Sequence, residues 1–269
     1  MTWPPPQPAP APGLRDILRA IKPGPIFLGL VVAAVVGGWL VATSETGRNV
    51  QSVGGTLILV LAGWVISLCL HEFAHAVTAF RFGDRNTEMR GYLTLNPLRY
   101  THPGLSIGLP LLIILLGGIG FPGGAVYVDQ RGFTKVQRTL VSLAGPVTNL
   151  VLAAVLLAVI RTVGPGSSLS FNLWAALSML ALLQITAAVL NILPVPGFDG
   201  YNAIDPYLSP QTRASVSKIA PYGFLIVFAL LFIPALNRAF FNLIYWIFEL
   251  SGVSGAVASY GWALFVFWR

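Results

Sequence analysis

The chain has 269 residues, of which 55% are hydrophobic and only 9% are charged, and its formal net charge is +7. About a quarter of the residues in a soluble domain are charged, so this composition excludes a water-soluble globular protein and indicates a polytopic membrane protein. The basic residues are dispersed between apolar segments, which argues against nucleic-acid binding and is typical of cations that orient a protein in a lipid bilayer.

The first 25 residues are rich in proline and are expected to form a flexible cytoplasmic tail, followed by an integral membrane domain over residues 26–269. The first apolar stretch begins behind Arg15, Arg19 and Lys22. It has no signature of a cleavable signal peptide, so we expect it to stay in the protein as a membrane helix.

Six apolar stretches approach or exceed the length that a helix needs to cross the hydrocarbon core of a bilayer. The last of them is long enough for one tilted helix or for two pieces broken near residues 251–255. We therefore expect an all-α polytopic membrane protein with about six transmembrane helices and both termini in the cytoplasm. In chain order the predicted helices cover residues 26–42, 56–80, 139–160, 172–193, 222–236 and 239–268.

The segment 104–121 is also apolar, but its glycines and Pro110 make it a poor regular helix. If it does not cross the membrane, 13 of the 16 Lys and Arg residues lie on the inner side, whereas a crossing would give 9 against 7. The positive-inside rule favours the first arrangement. The flanking sequences EMRGYLTLN and GAVYVDQRGF have strand-like composition. We therefore expect a small membrane-associated β or re-entrant element between the second and third helices.

The second predicted helix contains HEFAH, which matches the pattern H-E-x-x-H. On a helix, His71 and His75 are one turn apart on one face, so both imidazoles can reach one metal ion. Glu72 points to one side, where it can act as a general base on a water molecule. Ionisable groups are costly within a membrane, which favours a functional site over a coincidental pair of histidines. Cys69 faces another direction and is interpreted as a packing residue.

Two imidazoles and a carboxylate favour zinc, and a catalytic zinc ion keeps three protein ligands and one open position. The third ligand must come from His102 or one of the remaining acids, and Asp199 is the strongest candidate. It follows the sequence NILPVPGF, in which the prolines end the fourth helix, and the neighbouring glycines allow a sharp turn. An ordinary membrane-exit turn is the alternative interpretation. In the expected topology both halves of the site lie at similar depth near the inner face.

The combination of these two motifs resembles the site-2 protease family of intramembrane zinc metalloproteases, in which H-E-x-x-H is followed by N-x-x-P-x-P-x-x-D-G. The segments LTLNPLRYTHPG and SLAGPVTN are also similar to segments of this family. The resemblance covers about residues 54–200, and the lack of a PDZ insertion is similar to the compact branch with six spans. The second motif is filled by Asn191, Pro194, Pro196, Asp199 and Gly200.

The resemblance implies an intramembrane endopeptidase with one zinc ion per chain, bound by His71, His75 and Asp199, and with Glu72 activating water. It places the catalytic core at about residues 54–200. It also implies that the region between the second and third helices presents the substrate, and a strand-like segment near Tyr92 is the candidate for edge pairing with an extended peptide.

Three further residues have open roles under this resemblance. Asn149 and Asn191 are candidates for polar groups near the substrate backbone or the oxyanion, and polar contacts between packed helices are the alternative. His102 stands where many relatives have an acid. It is interpreted as a surface histidine, as a group behind the metal ligands, or as an inhibitory fourth ligand.

The resemblance implies single-span membrane proteins as substrates, such as anti-sigma factors, transcription factor precursors or signal-peptide remnants. The composition, rich in alanine, glycine and proline, favours a bacterial source and therefore an inner or plasma membrane location. Three other functions are weighed against this one. They are a transporter that uses the polar cluster, a catalytically inactive homologue that acts as a binding scaffold, and a prenyl-protein type of protease with Glu249 as third ligand.

Overall fold

The computed structural model describes residues 12–99 and 128–268. Within these ranges the chain forms α-helices joined by short 3₁₀ turns, and the described residues contain no β-strand. This confirms the all-α class. In chain order the helices are α1 (Leu14–Ala20), α2 (Pro25–Ala42), α3 (Val50–Arg81), α4 (Asn86–Met89), α5 (Lys135–Val163), α6 (Phe171–Ile192), α7 (Asp199–Ile204), α8 (Pro210–Ser217), α9 (Gly223–Leu231), α10 (Pro234–Glu249) and α11 (Gly255–Phe265).

The long helices begin at polar caps that lie outside the apolar stretches. Before α3, the side chain of Asn49 accepts a hydrogen bond from the backbone N–H of Ser52 at 2.8 Å. Before α5, Thr134 and Gln137 form a reciprocal pair of the same kind. Such capping boxes satisfy backbone donors that the first helical turn leaves without partners. The helices α3 and α5 therefore begin several residues earlier than the hydrophobic pattern predicts.

Four of the described helices, α2, α3, α5 and α6, are long and apolar enough to cross a membrane. A fifth span is counted if α8 and the segment Ala220–Leu231, which are bent by 50°, form one element. The expected count of six is not reached in the described residues. The reason is that α9 has only nine residues. It ends at Leu231, and a new helix, α10, begins at Pro234. A proline is favoured in the first turn of a helix but not inside one, so no continuous helix forms over residues 222–236.

The C-terminal part of the chain runs along the bundle as separate short helices. Near its start, α10 packs through Phe240 against Leu190 and Phe198. Near its end, Phe248 packs in the cluster that contains Ile160, at the other end of the bundle. The chain then turns and α11 packs against α6, so the predicted break near residues 251–255 is confirmed.

The helices α3 and α5 are antiparallel neighbours. His75, near the end of α3, contacts the carbonyl oxygen of Val141, near the start of α5. Beyond α3, the carboxylate of Asp84 accepts a hydrogen bond from the backbone N–H of Asp129 at 2.9 Å. The chain therefore leaves the bundle and returns to it at the same end, which agrees with the expectation that the intervening segment makes no net crossing. The segment 104–121 itself lies outside the described residues.

The strand prediction for EMRGYLTLN is wrong. These residues form the end of α4 and a 3₁₀ turn at Tyr92–Thr94, held by hydrogen bonds between residues three or four apart in the chain. Gly91 and Leu95 adopt positive φ angles of 74° and 54°, which interrupt an extended backbone on both sides of the turn. Tyr92, Leu93 and Leu95 pack against α3 instead. GAVYVDQRGF is described only from residue 128, where it is a turn.

The two ends of the described chain lie at opposite ends of the bundle. Ala20 in α1 packs with Phe80, near the end of α3, whereas Arg48, just before α3, donates a hydrogen bond to the carbonyl oxygen of Phe267. A helix of 32 residues is about 48 Å long, more than the thickness of a hydrocarbon core. This arrangement favours an odd number of crossings and termini on opposite sides of the membrane, whereas the sequence predicts that both termini lie in the cytoplasm.

We predict that reporters fused to the two termini fall on opposite sides of the membrane. An alkaline phosphatase and a fluorescent protein, each fused in turn to the N-terminus and to the C-terminus, would be assayed for activity and fluorescence in cells. One terminus should give only phosphatase activity and the other only fluorescence. The same reporter active at both termini would contradict the odd number of crossings.

Candidate metal centre

The two histidines of HEFAH converge on one point inside the bundle. His71 and His75 lie on consecutive turns of α3, and their Nε2 atoms are 3.1 Å apart. Both residues are buried, with 6% and 7% of their surface exposed. Glu72, between them in sequence, is also buried. The predicted geometry of H-E-x-x-H on a helix is therefore present, and the two ring nitrogens are close enough to bind one metal ion.

The third group comes from the chain that follows α6. This helix ends at Ile192, and the Pro-rich segment turns back through Gly197, whose φ of +98° suits glycine. The helix α7 then begins at Asp199, whose Oδ2 atom lies 3.2 Å from Nε2 of His71 and 3.4 Å from Nε2 of His75. The structure thus brings together all three predicted ligands, although Asp199 is more than 120 residues from the two histidines in the chain.

The helix α7 is fixed in place by two close contacts. A Cβ atom on Gly200 would lie 2.0 Å from the carbonyl oxygen of Ile192, so α7 can pack directly on the end of α6 only with glycine here. On the other side, the hydroxyl of Thr139 in α5 donates to the carbonyl oxygen of Ala203 at 2.7 Å. These contacts hold the first residue of α7, Asp199, toward the histidines.

The distances in this cluster fit a tetrahedral zinc site. Three atoms separated by 3.1, 3.2 and 3.4 Å match the ligand spacing of about 3.3 Å that a tetrahedron with bonds of about 2.05 Å requires. The Oδ2 atom of Asp199 is buried and accepts no hydrogen bond from the part of the chain that the structure describes. A buried carboxylate oxygen without a donor, facing two imidazole nitrogens, is the environment of a cation.

The Nδ1 atom of each ring contacts an oxygen. His75 Nδ1 lies 2.6 Å from the carbonyl oxygen of Val141, and His71 Nδ1 lies 2.5 Å from Oδ1 of Asn149. A carbonyl oxygen can only accept, so each Nδ1 carries the hydrogen and each Nε2 presents its lone pair to the centre of the cluster. This proton arrangement is the one that metal binding needs.

A glycine in α5 makes room for the two rings. A Cβ atom on Gly145 would lie 2.3 Å from Nε2 of His75 and 2.5 Å from Nε2 of His71. No side chain fits at such distances, so the backbone of α5 forms one wall of the metal centre. The pattern SLAGPVTN carried this information, but the sequence alone did not show that its glycine faces the imidazoles.

The other predicted site residues have different outcomes. Asn149 is buried, with both ends of its carboxamide bonded to side chains, and its contact with a substrate stays a prediction. Asn191 bonds to a carbonyl oxygen of its own helix. Cys69 packs with Leu95. Glu249 accepts from the backbone of Gly255, in the turn between α10 and α11. His102 lies outside the described residues.

The segment near Tyr92 is not beside the metal centre. Leu93 packs on Ala76 and Phe80, and Leu95 packs on Cys69. With about 100° per residue, these three α3 positions lie on the face of the helix away from His71. The extended edge that the sequence predicted is therefore wrong in conformation, and the segment packs on the side of α3 away from His71.

Comparison with known proteins gives a consistent result. Residues 57–166 match peptidase family M50. The chain is 52% identical over 258 residues to "Putative zinc metalloprotease Rip2" of Mycolicibacterium smegmatis, covering 95% of this chain and 98% of that protein. It is 49% identical to Rip2 of Mycobacterium tuberculosis, covering 93% and 96%, and 35% identical to YwhC of Bacillus subtilis, covering 64% and 79%. No solved structure is significantly similar to the chain.

We predict that Gly145→Ala abolishes zinc binding, because the added methyl group would lie within 2.6 Å of atoms in both rings. Zinc content per purified chain would be measured by inductively coupled plasma mass spectrometry. The matched control is Gly29→Ala in α2, where a Cβ atom meets nothing within 4 Å. A Gly145→Ala protein with a full complement of zinc would contradict this account of the wall.

Proposed function

The chain belongs to peptidase family M50, and we propose which of its residues perform the proteolysis. As a zinc metalloprotease of the membrane, it needs three ligands and a general base. We assign the ligands to His71, His75 and Asp199 and the base to Glu72. The single observation that carries the assignment is the triangle of two imidazole nitrogens and one orphaned carboxylate oxygen, with edges of 3.1 to 3.4 Å.

Zinc in such a site lowers the pKa of water and polarises the scissile carbonyl group. Glu72 would accept the proton of the attacking water and later deliver it to the leaving amine. Its position supports this role, because the residue after a ligand on a helix lies about 100° to one side of the ligand face. The two histidines, with their hydrogens on Nδ1, hold the ion and take no part in the proton transfer.

The proposed substrates are membrane proteins with a single span. Anti-sigma factors, transcription factor precursors and signal-peptide remnants are examples of this class. A helix in lipid hides its carbonyl groups in hydrogen bonds, so a substrate must unwind locally before its backbone reaches a buried centre such as this one. The side chain of Asp199 is the most exposed of the three ligands, at 17%, which favours approach from the α7 side.

The proposed location is the bacterial plasma membrane, with the N-terminus in the cytoplasm. Arg15, Arg19 and Lys22 precede α2, and Arg81 ends α3 less than two turns after His75. The positive-inside rule places this basic end on the inner side. The metal centre would then lie near the inner face of the membrane, and the C-terminus on the outer side.

We expect Glu72→Gln to retain zinc and to lose at least about a thousandfold in cleavage rate, since the amide cannot accept the proton of water. His71→Ala should lose both zinc and activity. Glu88→Gln, which changes an exposed acid in α4, is the control and should behave as the wild type. The measurements are zinc content and cleavage of a single-span substrate, found by comparing membrane proteomes of wild-type and Glu72→Gln cells. Full cleavage by Glu72→Gln would exclude this residue as the base.

The depth of the metal centre predicts where substrates are cut. Cleavage should occur in the cytoplasmic half of the substrate's membrane helix, because His75 lies near the basic end of α3. Mass spectrometry of the released fragments would map the cut site. A cut in the outer half would overturn the proposed orientation.

A further inference from the structure

A series of side-chain hydrogen bonds connects His71 to the backbone of its own helix. The hydroxyl of Ser67 donates to the carbonyl oxygen of Trp64 at 2.7 Å. The Nε2 atom of Gln184 donates to Ser67 Oγ at 2.9 Å, and Nδ2 of Asn149 donates to Oε1 of Gln184 at 2.7 Å. Asn149 Oδ1 contacts His71 Nδ1. The series leaves α3, passes through α6 and α5, and returns to α3.

The direction of every bond follows from its first member. The carbonyl oxygen of Trp64 has no hydrogen, so the Ser67 hydroxyl must donate to it, and its oxygen is left to accept. Gln184 must therefore turn its NH₂ group to Ser67 and its oxygen to Asn149. By the same rule Asn149 turns its NH₂ group to Gln184 and its oxygen to His71, whose Nδ1 must carry the hydrogen.

This order matters because a carboxamide has nearly the same shape in its two orientations. If Asn149 were reversed, its NH₂ group would face Nδ1 of His71, and the ring hydrogen would move to Nε2, where it would block the metal. Packing alone cannot choose between the two orientations, but the oxygen of Gln184 can. His75 needs no such device, because its Nδ1 meets a backbone carbonyl directly.

We propose that Gln184 is a positioning residue of the metal centre, which acts through Asn149 to keep the lone pair of His71 Nε2 on the metal. This inference rests on the proposed binding of zinc by His71. Gln184 is 1% exposed and lies in the most buried of the four membrane-crossing helices, so it is shielded from solvent. Among the described residues, Gln184 is the one whose contact selects the orientation of Asn149.

The first test is the variant Gln184→Leu in the full-length protein. We expect its zinc affinity to fall by about 10-fold to 100-fold, the range typical for the loss of a group behind a metal ligand, as measured by competition with a chelator. In the metal-free protein, ¹⁵N NMR of labelled histidine should show the His71 hydrogen partly on Nε2. The chain has only three histidines, so the signals can be assigned with a His71→Gln variant.

The control is Thr186→Val in the same helix. Thr186 is fully buried, and its hydroxyl bonds to the carbonyl oxygen of Leu182 in its own helix. Loss of a buried polar group from α6 is therefore matched, while the contact with Asn149 stays intact. Zinc affinity and histidine spectra of Thr186→Val should equal those of the wild type.

The second test separates positioning from simple loss of packing. In the double variant Asn149→Asp with Gln184→Leu, the carboxylate has two oxygens and no hydrogen, so either orientation accepts from His71. We expect this change to restore zinc affinity to within about threefold of the wild type. If Gln184 served only to hold α5 and α6 together, a buried carboxylate beside leucine would weaken the protein further and no rescue would occur.

The outcomes distinguish the inference from the function on which it rests. If His71→Ala retains zinc, the assignment of the ligands fails. If His71→Ala loses zinc but Gln184→Leu binds it as the wild type does, or if the Asn149→Asp substitution gives no rescue, the positioning role of Gln184 is overturned. Weakened binding in Gln184→Leu together with rescue supports it.

Discussion

The structure depends on one electrostatic constraint, which is that three lone pairs meet inside an apolar bundle with no hydrogen among them. Nitrogen and oxygen atoms at 3.1 to 3.4 Å from one another would repel if nothing positive lay between them. A buried polar atom without a partner is costly, and a buried carboxylate is more so. A divalent cation would remove this cost at once, which supports the proposal that α3, α5 and α7 hold a metal ion between them.

The irregular features of the fold follow from that constraint. The end of α6 is broken by proline and glycine so that a carboxylate can enter the bundle beside two imidazoles. The wall at Gly145 has no side chain because the rings occupy that space. Thr139 and Gly200 set the position of α7, and with it the third corner of the triangle, Asp199.

The sequence revealed the chemistry of the site more fully than its architecture. The motifs around His71 and Asp199 carry chemistry at fixed spacing, so both could be recognised without a structure. The four long apolar helices could be predicted from their length and hydrophobicity. The C-terminal region could not, because hydrophobicity does not report the break before Pro234. The turn at Tyr92 was mistaken for a strand because its tyrosine and leucines suit both a strand and a packed surface. The role of Gln184 depends on three helices meeting, which no local pattern shows.

The series of hydrogen bonds from Trp64 to His71 begins and ends on α3 and passes through α6 and α5. Three of its bonds join different helices, so a small shift of one helix would break a bond and leave the orientation of Asn149 unfixed. The affinity for zinc would then depend on how closely α3, α5 and α6 pack. Hydrophobic mismatch tilts membrane helices, so a bilayer of another thickness would act on that same packing. On the proposed role of Gln184, the affinity for zinc would then depend on the membrane in which the protein is placed.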